Sequence, residues 1–120
     1  MLKLKRVYEA RQDSDGVRIL VDRLWPRGLS SAGASIDEWM KEIAPSNELR
    51  RWFGHEAGKW AEFRGRYLKE LASEDRAPLE RVGRLAAAGD VTLLYAAKDT
   101  EHNNAVVLAE AITAIMKRLS

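Results

Sequence analysis

The chain has 120 residues, of which 46% are hydrophobic and 32% charged, a balance typical of one folded domain and not of a disordered chain. It contains no cysteine, which excludes disulfides, thiolate metal sites and a cysteine nucleophile. The net charge is only +2, but residues 1–30 carry seven basic and four acidic side chains. This local excess favours an anionic partner near the amino end.

No stretch approaches the roughly 20 apolar residues that a membrane span needs. The first residues, MLKLKRVYEA, alternate apolar with basic side chains instead of forming the apolar core of a signal peptide. We therefore predict a cytoplasmic protein that does not associate with membranes.

Two strands are predicted before residue 22. Leu2 and Leu4 alternate with lysines, the sequence DSDG at 13–16 is a turn signal, and the β-branched run VRILV follows at 17–21.

Four helices are predicted next. Ser35 and Glu38 form a capping-box pattern, which predicts a helix over residues 36–44 that ends before Pro45. Ser46 is then expected to cap a short helix over 47–53, closed by Gly54.

The other two helices are predicted from apolar stripes. Trp60, Phe63, Tyr67 and Leu71 are spaced by three or four residues within 56–73, as in an amphipathic helix. After Pro78, a similar stripe runs through Leu79, Val82, Leu85 and Ala86 and stops at Gly89.

The last predicted elements are a strand and a helix. The run VTLLYAA at 91–97 is apolar at nearly every position, as expected for a strand covered on both faces. A helix is predicted from Asn103 onward. The fold class is therefore α/β: a small, mainly parallel β-sheet flanked on both faces by about five helices, in a single domain over 1–120.

If residues 17–21 and 91–97 are parallel neighbours, the polar loops that follow them, DRLWPRG and KDTEHNN, meet at one sheet edge. Ligands of such sheets usually bind there. The candidate site comprises nine residues: Asp22, Arg23, Trp25, Arg27, Lys98, Asp99, His102, Asn103 and Asn104.

Five of these residues are predicted to bind a ligand through charge or backbone donors. Arg23 and Arg27 can present planar forks to phosphate or carboxylate oxygens, and Lys98 adds a point charge. Asn103 and Asn104 lie where the last helix begins, and its free N–H groups can receive an anion.

Catalytic and stacking roles are predicted for the other four. A histidine can exchange protons near neutral pH, so His102, oriented by Asp22 or Asp99, has the minimum equipment for acid–base catalysis. Trp25 could stack on a flat ligand.

Structural interpretations compete with each of these roles. Asp22 and Asp99 could simply neutralise arginines and cap turns, Trp25 could pack in the core, and Asn103 could cap a helix without any ligand. His55 and His102 match no metal-binding spacing, so no metal and no cofactor are predicted.

Several strings resemble one bacterial family in order and spacing. They are KRVYEA, VRILVDRLWPRG, IDEWMKEIAPSNELRRWFGH, KWAEFRGRYLKEL and VTLLYAAKDTEHNNAVVL. The chain is identified by them as a member of the YeaO-like branch of the domain of unknown function 488 family. The resemblance implies a small α/β protein without an established activity. In the wider family the second motif often contains Cys-His-Arg, and here Glu101-His102-Asn103 stands in its place.

Three hypotheses about function follow. The first is a site that binds a phosphate-bearing or otherwise anionic small molecule, with or without hydrolytic or transfer chemistry through His102. The second is a nucleic-acid-binding or regulatory module, motivated by the basic amino-terminal third. The third is a protein-interaction domain without chemistry, in which the loop residues pair with one another. The oligomeric state stays open.

Overall fold

Strand β4 (Val91–Tyr95) lies inside a parallel sheet, and all five of its residues are buried. The computed structural model describes residues 1–30 and 35–119, and within them the sheet has four strands. The others are β1 (Leu2–Arg6), β2 (Val17–Leu20) and β3 (Glu38–Trp39), and the spatial order is β1-β4-β2-β3. The predicted parallel neighbours, β2 and β4, are confirmed.

The register of the sheet sets which side chains share a face. Leu93 of β4 lies beside Leu4 of β1 and Ile19 of β2. Pairing continues past β2, where the N–H of Val21 donates to the carbonyl oxygen of Leu94 at 3.1 Å. The chain segments after β2 and β4 therefore leave the sheet at the same edge.

Four α-helices lie within the described residues, not the predicted five or so. They are α1 (Asn47–Phe53), α2 (Trp60–Ser73), α3 (Ala77–Ala88) and α4 (Asn104–Leu119). The predicted cap of α1 is confirmed, since the Oγ of Ser46 accepts the N–H of Leu49 at 3.1 Å and Gly54 closes the helix in the left-handed conformation. None of these helices is long and apolar enough to cross a membrane.

The prediction of a helix over 36–44 was wrong. Glu38–Trp39 forms strand β3 beside Ile19–Leu20, and only Lys41–Ile43 forms a 3-10 turn. Without β3, one edge of β2 would lack a partner, and the N–H groups of Asp37 and Met40 bond to that edge. Tertiary hydrogen bonding therefore outweighs the local capping pattern, and Ser35 has a left-handed backbone (φ 49°) unsuited to an N-cap.

The helices cover one face of the sheet, not both as predicted. Their buried apolar side chains form one cluster with Ile19, Val91 and Leu93. The opposite face carries a small cluster of Val7, Leu20 and Leu94, packed against loop residues. No helix of the described ranges contributes to that second cluster.

A buried ion pair explains why this second face needs no helix. Arg18 of β2 is 1% exposed and donates from Nη1 to Oδ2 of Asp15 at 2.7 Å, and Lys5 of β1 reaches the same oxygen at 3.0 Å. The carboxylate of Asp15 thus covers the part of this face that carries Lys5 and Arg18. Burial opposes the charge of Asp15, but the N–H of Gln12 together with Lys5 and Arg18 holds its pKa well below the usual range.

The variant Asp15→Asn should unfold at a temperature lower by roughly 10 °C at pH 7, because it leaves Arg18 as a buried charge without a counterion. Since the pKa of Asp15 is depressed in the folded state, its stabilisation is complete above about pH 4 and is lost as the pH falls from there. The difference from the wild type should therefore shrink in acid.

Thermal unfolding followed by circular dichroism between pH 7 and pH 3 measures this effect. The matched control is Asp13→Asn, an exposed carboxylate of the same 3-10 turn, for which almost no change is expected. Equal unfolding temperatures for wild type and Asp15→Asn at pH 7 would contradict the assignment.

Candidate functional site

A cleft of about 800 Å³ opens where the chain leaves β2 and β4. The two predicted loops form one side of it, and the end of α1 with the following turn forms another. Of the nine predicted site residues, eight line the cleft: Asp22, Arg23, Trp25, Arg27, Lys98, Asp99, Asn103 and Asn104. His102 is not among the lining residues.

Asp22 joins the two loops. Its Oδ2 accepts the backbone N–H of Ala96 at 3.0 Å, and its Oδ1 accepts Nδ2 of Asn104 at 3.1 Å. The same Nδ2 also donates to the carbonyl oxygen of Val21 at 3.0 Å. One oxygen of Asp22 thus holds the segment after β4, and the other holds the start of α4, against the end of β2.

The electrostatic position of Asp22 is unfavourable for its charge. Burial raises the pKa of this carboxyl, and the donors from Asn104 and Ala96, with the nearby His55, offset only part of that effect. A carboxyl with a raised pKa in a cleft is typical of functional sites, and structural hydrogen-bond networks also shift pKa values.

The side chains of Arg23 and Trp25 hold the first loop in place. The Nε of Arg23 donates to the carbonyl oxygen of Pro45 at 2.8 Å, and its Nη2 donates to that of Ala44 at 3.2 Å. The Nε1 of Trp25 donates to the carbonyl oxygen of Leu29 at 2.7 Å, and its ring meets Trp39 edge to face at 5.4 Å. Both side chains are therefore committed to fixing the loop.

His102 and Asp99 form a pair beside the cleft. Oδ1 of Asp99 accepts the N–H groups of Glu101 and His102, and Oδ2 lies 3.0 Å from Nδ1 of His102. These backbone donors lower the pKa of Asp99 below its usual range. The ring of His102 packs edge to face on Trp60 at 5.2 Å, so it is directed toward α2.

Asn103 caps α4. Its Oδ1 accepts the N–H of Val106 at 3.1 Å, and its Nδ2 donates to the carbonyl oxygen of Asp99 at 2.9 Å. The side chain is 2% exposed, so the structural interpretation of this residue accounts for its position.

The sequence did not indicate three further polar residues of the cleft. Arg50 and Arg51 near the end of α1 and His55 after it line the cleft. His55 has a left-handed backbone (φ 60°), which is uncommon outside glycine. The only sequence signal was their closeness to the stop at Gly54.

The cleft is strongly basic. Five basic side chains line it against two carboxylates, and both carboxylates already accept hydrogen bonds within the protein. Arg27, Arg51 and Lys98 are exposed and form no ion pair with any residue of the described ranges. The Nε of Arg50 is shielded from solvent and has no acceptor among those residues.

Metal binding finds no support in the described part of the chain, where no three His, Asp or Glu side chains gather as a ligand set. The cleft offers cationic donors instead.

A small α/β protein with a parallel sheet and a basic cleft at its strand ends is the class defined by this structure. The chain belongs to the domain of unknown function 488 family, because the family profile described as the inactive DUF488-N3 subclade matches residues 1–120. The resemblance identified from the sequence motifs is thereby confirmed.

Relatives with curated names carry no assigned activity. The chain is 49% identical over 109 residues to the uncharacterised protein YeaO of Escherichia coli K12, which covers 91% of this chain and 94% of that protein. It is 37% identical over 111 residues to uncharacterised proteins of Mycobacterium bovis and Mycobacterium tuberculosis, with 92% of each chain covered. No solved structure matches the chain.

The variant Asn104→Ala should lower the free energy of unfolding by about 1–3 kcal/mol at pH 7, because it removes a donor to the charged Asp22. The donor favours the charged form, so its loss raises the pKa of Asp22 further. The variant is therefore fully destabilised where Asp22 is charged in both proteins, and the difference shrinks as the pH falls from 7 to 4 and Asp22 becomes protonated. A remainder from the unpaired carbonyl of Val21 persists at every pH.

Urea unfolding at pH 7 and pH 4 tests this prediction. The control is Asn103→Ala in the same helix start, which removes the cap and should cost about 1 kcal/mol at both pH values. If the Asn104→Ala loss is the same at both pH values, the assigned contact with charged Asp22 is wrong.

Proposed function

We propose that this protein binds a phosphate-bearing small anion in the cleft at the ends of β2 and β4. The observation that carries the proposal is the set of basic side chains without partners: Arg27, Arg51 and Lys98 pair with no carboxylate of the described residues. A bound anion would accept hydrogen bonds from these side chains and neutralise the local charge.

We propose binding without chemical conversion. The predicted general base, His102, packs on Trp60 outside the cleft lining. Asp22 and Asp99 use both of their oxygens to hold backbone and side-chain donors. The family description, which calls this subclade inactive, points in the same direction.

The nucleic-acid hypothesis loses its main support, which was the basic amino-terminal third. Six of the seven basic side chains in residues 1–30 donate to carbonyl or carboxylate oxygens of this chain. They are Lys3, Lys5, Arg6, Arg11, Arg18 and Arg23. A protein-interaction domain would have its loop residues mutually paired, which the free cations of the cleft do not favour.

We propose that residues 1–120 form one domain. Strand β1 at the amino end pairs with β4 and contacts α4 at the carboxyl end, so the cleft depends on the first and last elements together.

The double variant Arg51→Gln, Lys98→Gln should bind inorganic pyrophosphate and ribose 5-phosphate about tenfold or more weakly than the wild type, because it removes two charges from the cleft. Calorimetric titration at low and at physiological salt measures the affinities. The matched control is Lys69→Gln, Arg84→Gln, which removes one lysine and one arginine from exposed positions on α2 and α3.

Two results would count against the proposal: no binding of either phosphate compound by the wild type, or equal affinities of the cleft variant and the control variant. Salt-sensitive binding of short duplex DNA, with no binding of phosphate compounds, would favour the nucleic-acid alternative instead.

A further inference from the structure

The cleft is much larger than a phosphate group. Its volume of about 800 Å³ lies in the range of sites for whole small molecules, roughly 300–1,000 Å³. A phosphate that satisfied the basic side chains would leave most of this space to the rest of the ligand.

The remaining lining is mostly apolar. Leu24 is 56% exposed although it lies between Arg23 and Trp25, whose side chains hold the loop, and Pro26, Pro45, Ala96 and Ala97 are among the other lining residues. An apolar group covering this surface would gain free energy in proportion to the area that it removes from water.

The side chains on either side of the exposed Leu24 fix the position of the loop. The guanidinium of Arg23 is fixed on the carbonyls of Ala44 and Pro45, and the indole of Trp25 is fixed on the carbonyl of Leu29. The Nε1 of Trp39 holds the carbonyl of Asp22 at 2.7 Å. Because the loop is already ordered, a ligand that covers Leu24 does not have to order it.

The lining favours a flat ring over a flexible chain. Tyr8, which is 44% exposed, and the half-buried Trp25 both line it, and aromatic rings prefer aromatic partners in stacked or edge-to-face contact. A ring also loses less conformational freedom on binding than an alkyl chain of similar area.

We infer that the cleft binds a phosphomonoester that carries a flat aromatic group, as in a nucleoside monophosphate. The phosphate is held by the free cations of the cleft, and the ring covers the apolar surface beside Leu24. This inference rests on the proposed function and names the ligand class of the same site.

Titration with matched phosphomonoesters tests the inference. Adenosine 5′-monophosphate should bind about tenfold or more tightly than ribose 5-phosphate, which has the same charged group without the ring. Phenyl phosphate should likewise bind more tightly than butyl phosphate, which is apolar but not flat.

The variant Leu24→Asn separates the two parts of the ligand. It should weaken the binding of adenosine 5′-monophosphate by about threefold or more and leave the affinity for ribose 5-phosphate unchanged, because only the aromatic ring covers this side chain. The control is Leu119→Asn, which replaces an equally apolar residue, 50% exposed, at the end of α4. Both side chains are exposed, so both variants should fold as the wild type does.

The outcomes distinguish the two proposals. If no phosphate compound binds, the proposed function itself is wrong. If ribose 5-phosphate binds and adenosine 5′-monophosphate binds no better, or butyl phosphate equals phenyl phosphate, the aromatic ligand class is wrong while the anion site stands. Equal weakening of both ligands by Leu24→Asn also overturns the inference.

Discussion

The structure of the cleft depends on one carboxylate, that of Asp22. It accepts a backbone N–H from the segment after β4 and a side-chain N–H from the first turn of α4, and so joins two loops that are far apart in the chain. Parallel pairing of β2 with β4 brings the loops to the same edge, but pairing alone would leave them free to separate. Burial disfavours the charged form of Asp22 and raises its pKa. The two hydrogen-bond donors stabilise that charged form and so offset part of the cost of burying it.

The two faces of the sheet are covered by different parts of the chain. One face forms the main core together with the four helices of the described residues, whereas the other is closed by loops and by the buried pair of Arg18 and Asp15. The loop after β2 thus lies over the sheet and reaches the cleft from the side without helices. The cleft is therefore lined both by residues of this loop, such as Leu24 and Arg27, and by the end of α1.

Most of the fold could be predicted from periodicity and caps. The apolar run of β4, the stripe of Phe63, Tyr67 and Leu71, and the Ser46 cap are local signals, and each was interpreted correctly. The segment 36–44 was not, because its capping pattern is local, whereas the edge of β2 that captures Glu38–Trp39 is distant in sequence. The covering of a single face by helices was missed as well, because the sequence pattern around the predicted turn does not show that Asp15 folds back on Arg18 and closes the opposite face.

The sequence by itself determined the family, the parallel sheet and the meeting of two polar loops, because these follow from motifs and from strand order. Only the tertiary structure decided which side chains are free to meet a ligand. Arg23, Asp99 and Asn103 are engaged in holding loops and caps, and His102 packs on Trp60. Three residues of α1 and the turn after it line the cleft instead: Arg50, Arg51 and His55. The physical reason is that residue type sets what a side chain can bond to, whereas the packing of distant elements sets which partners lie within reach.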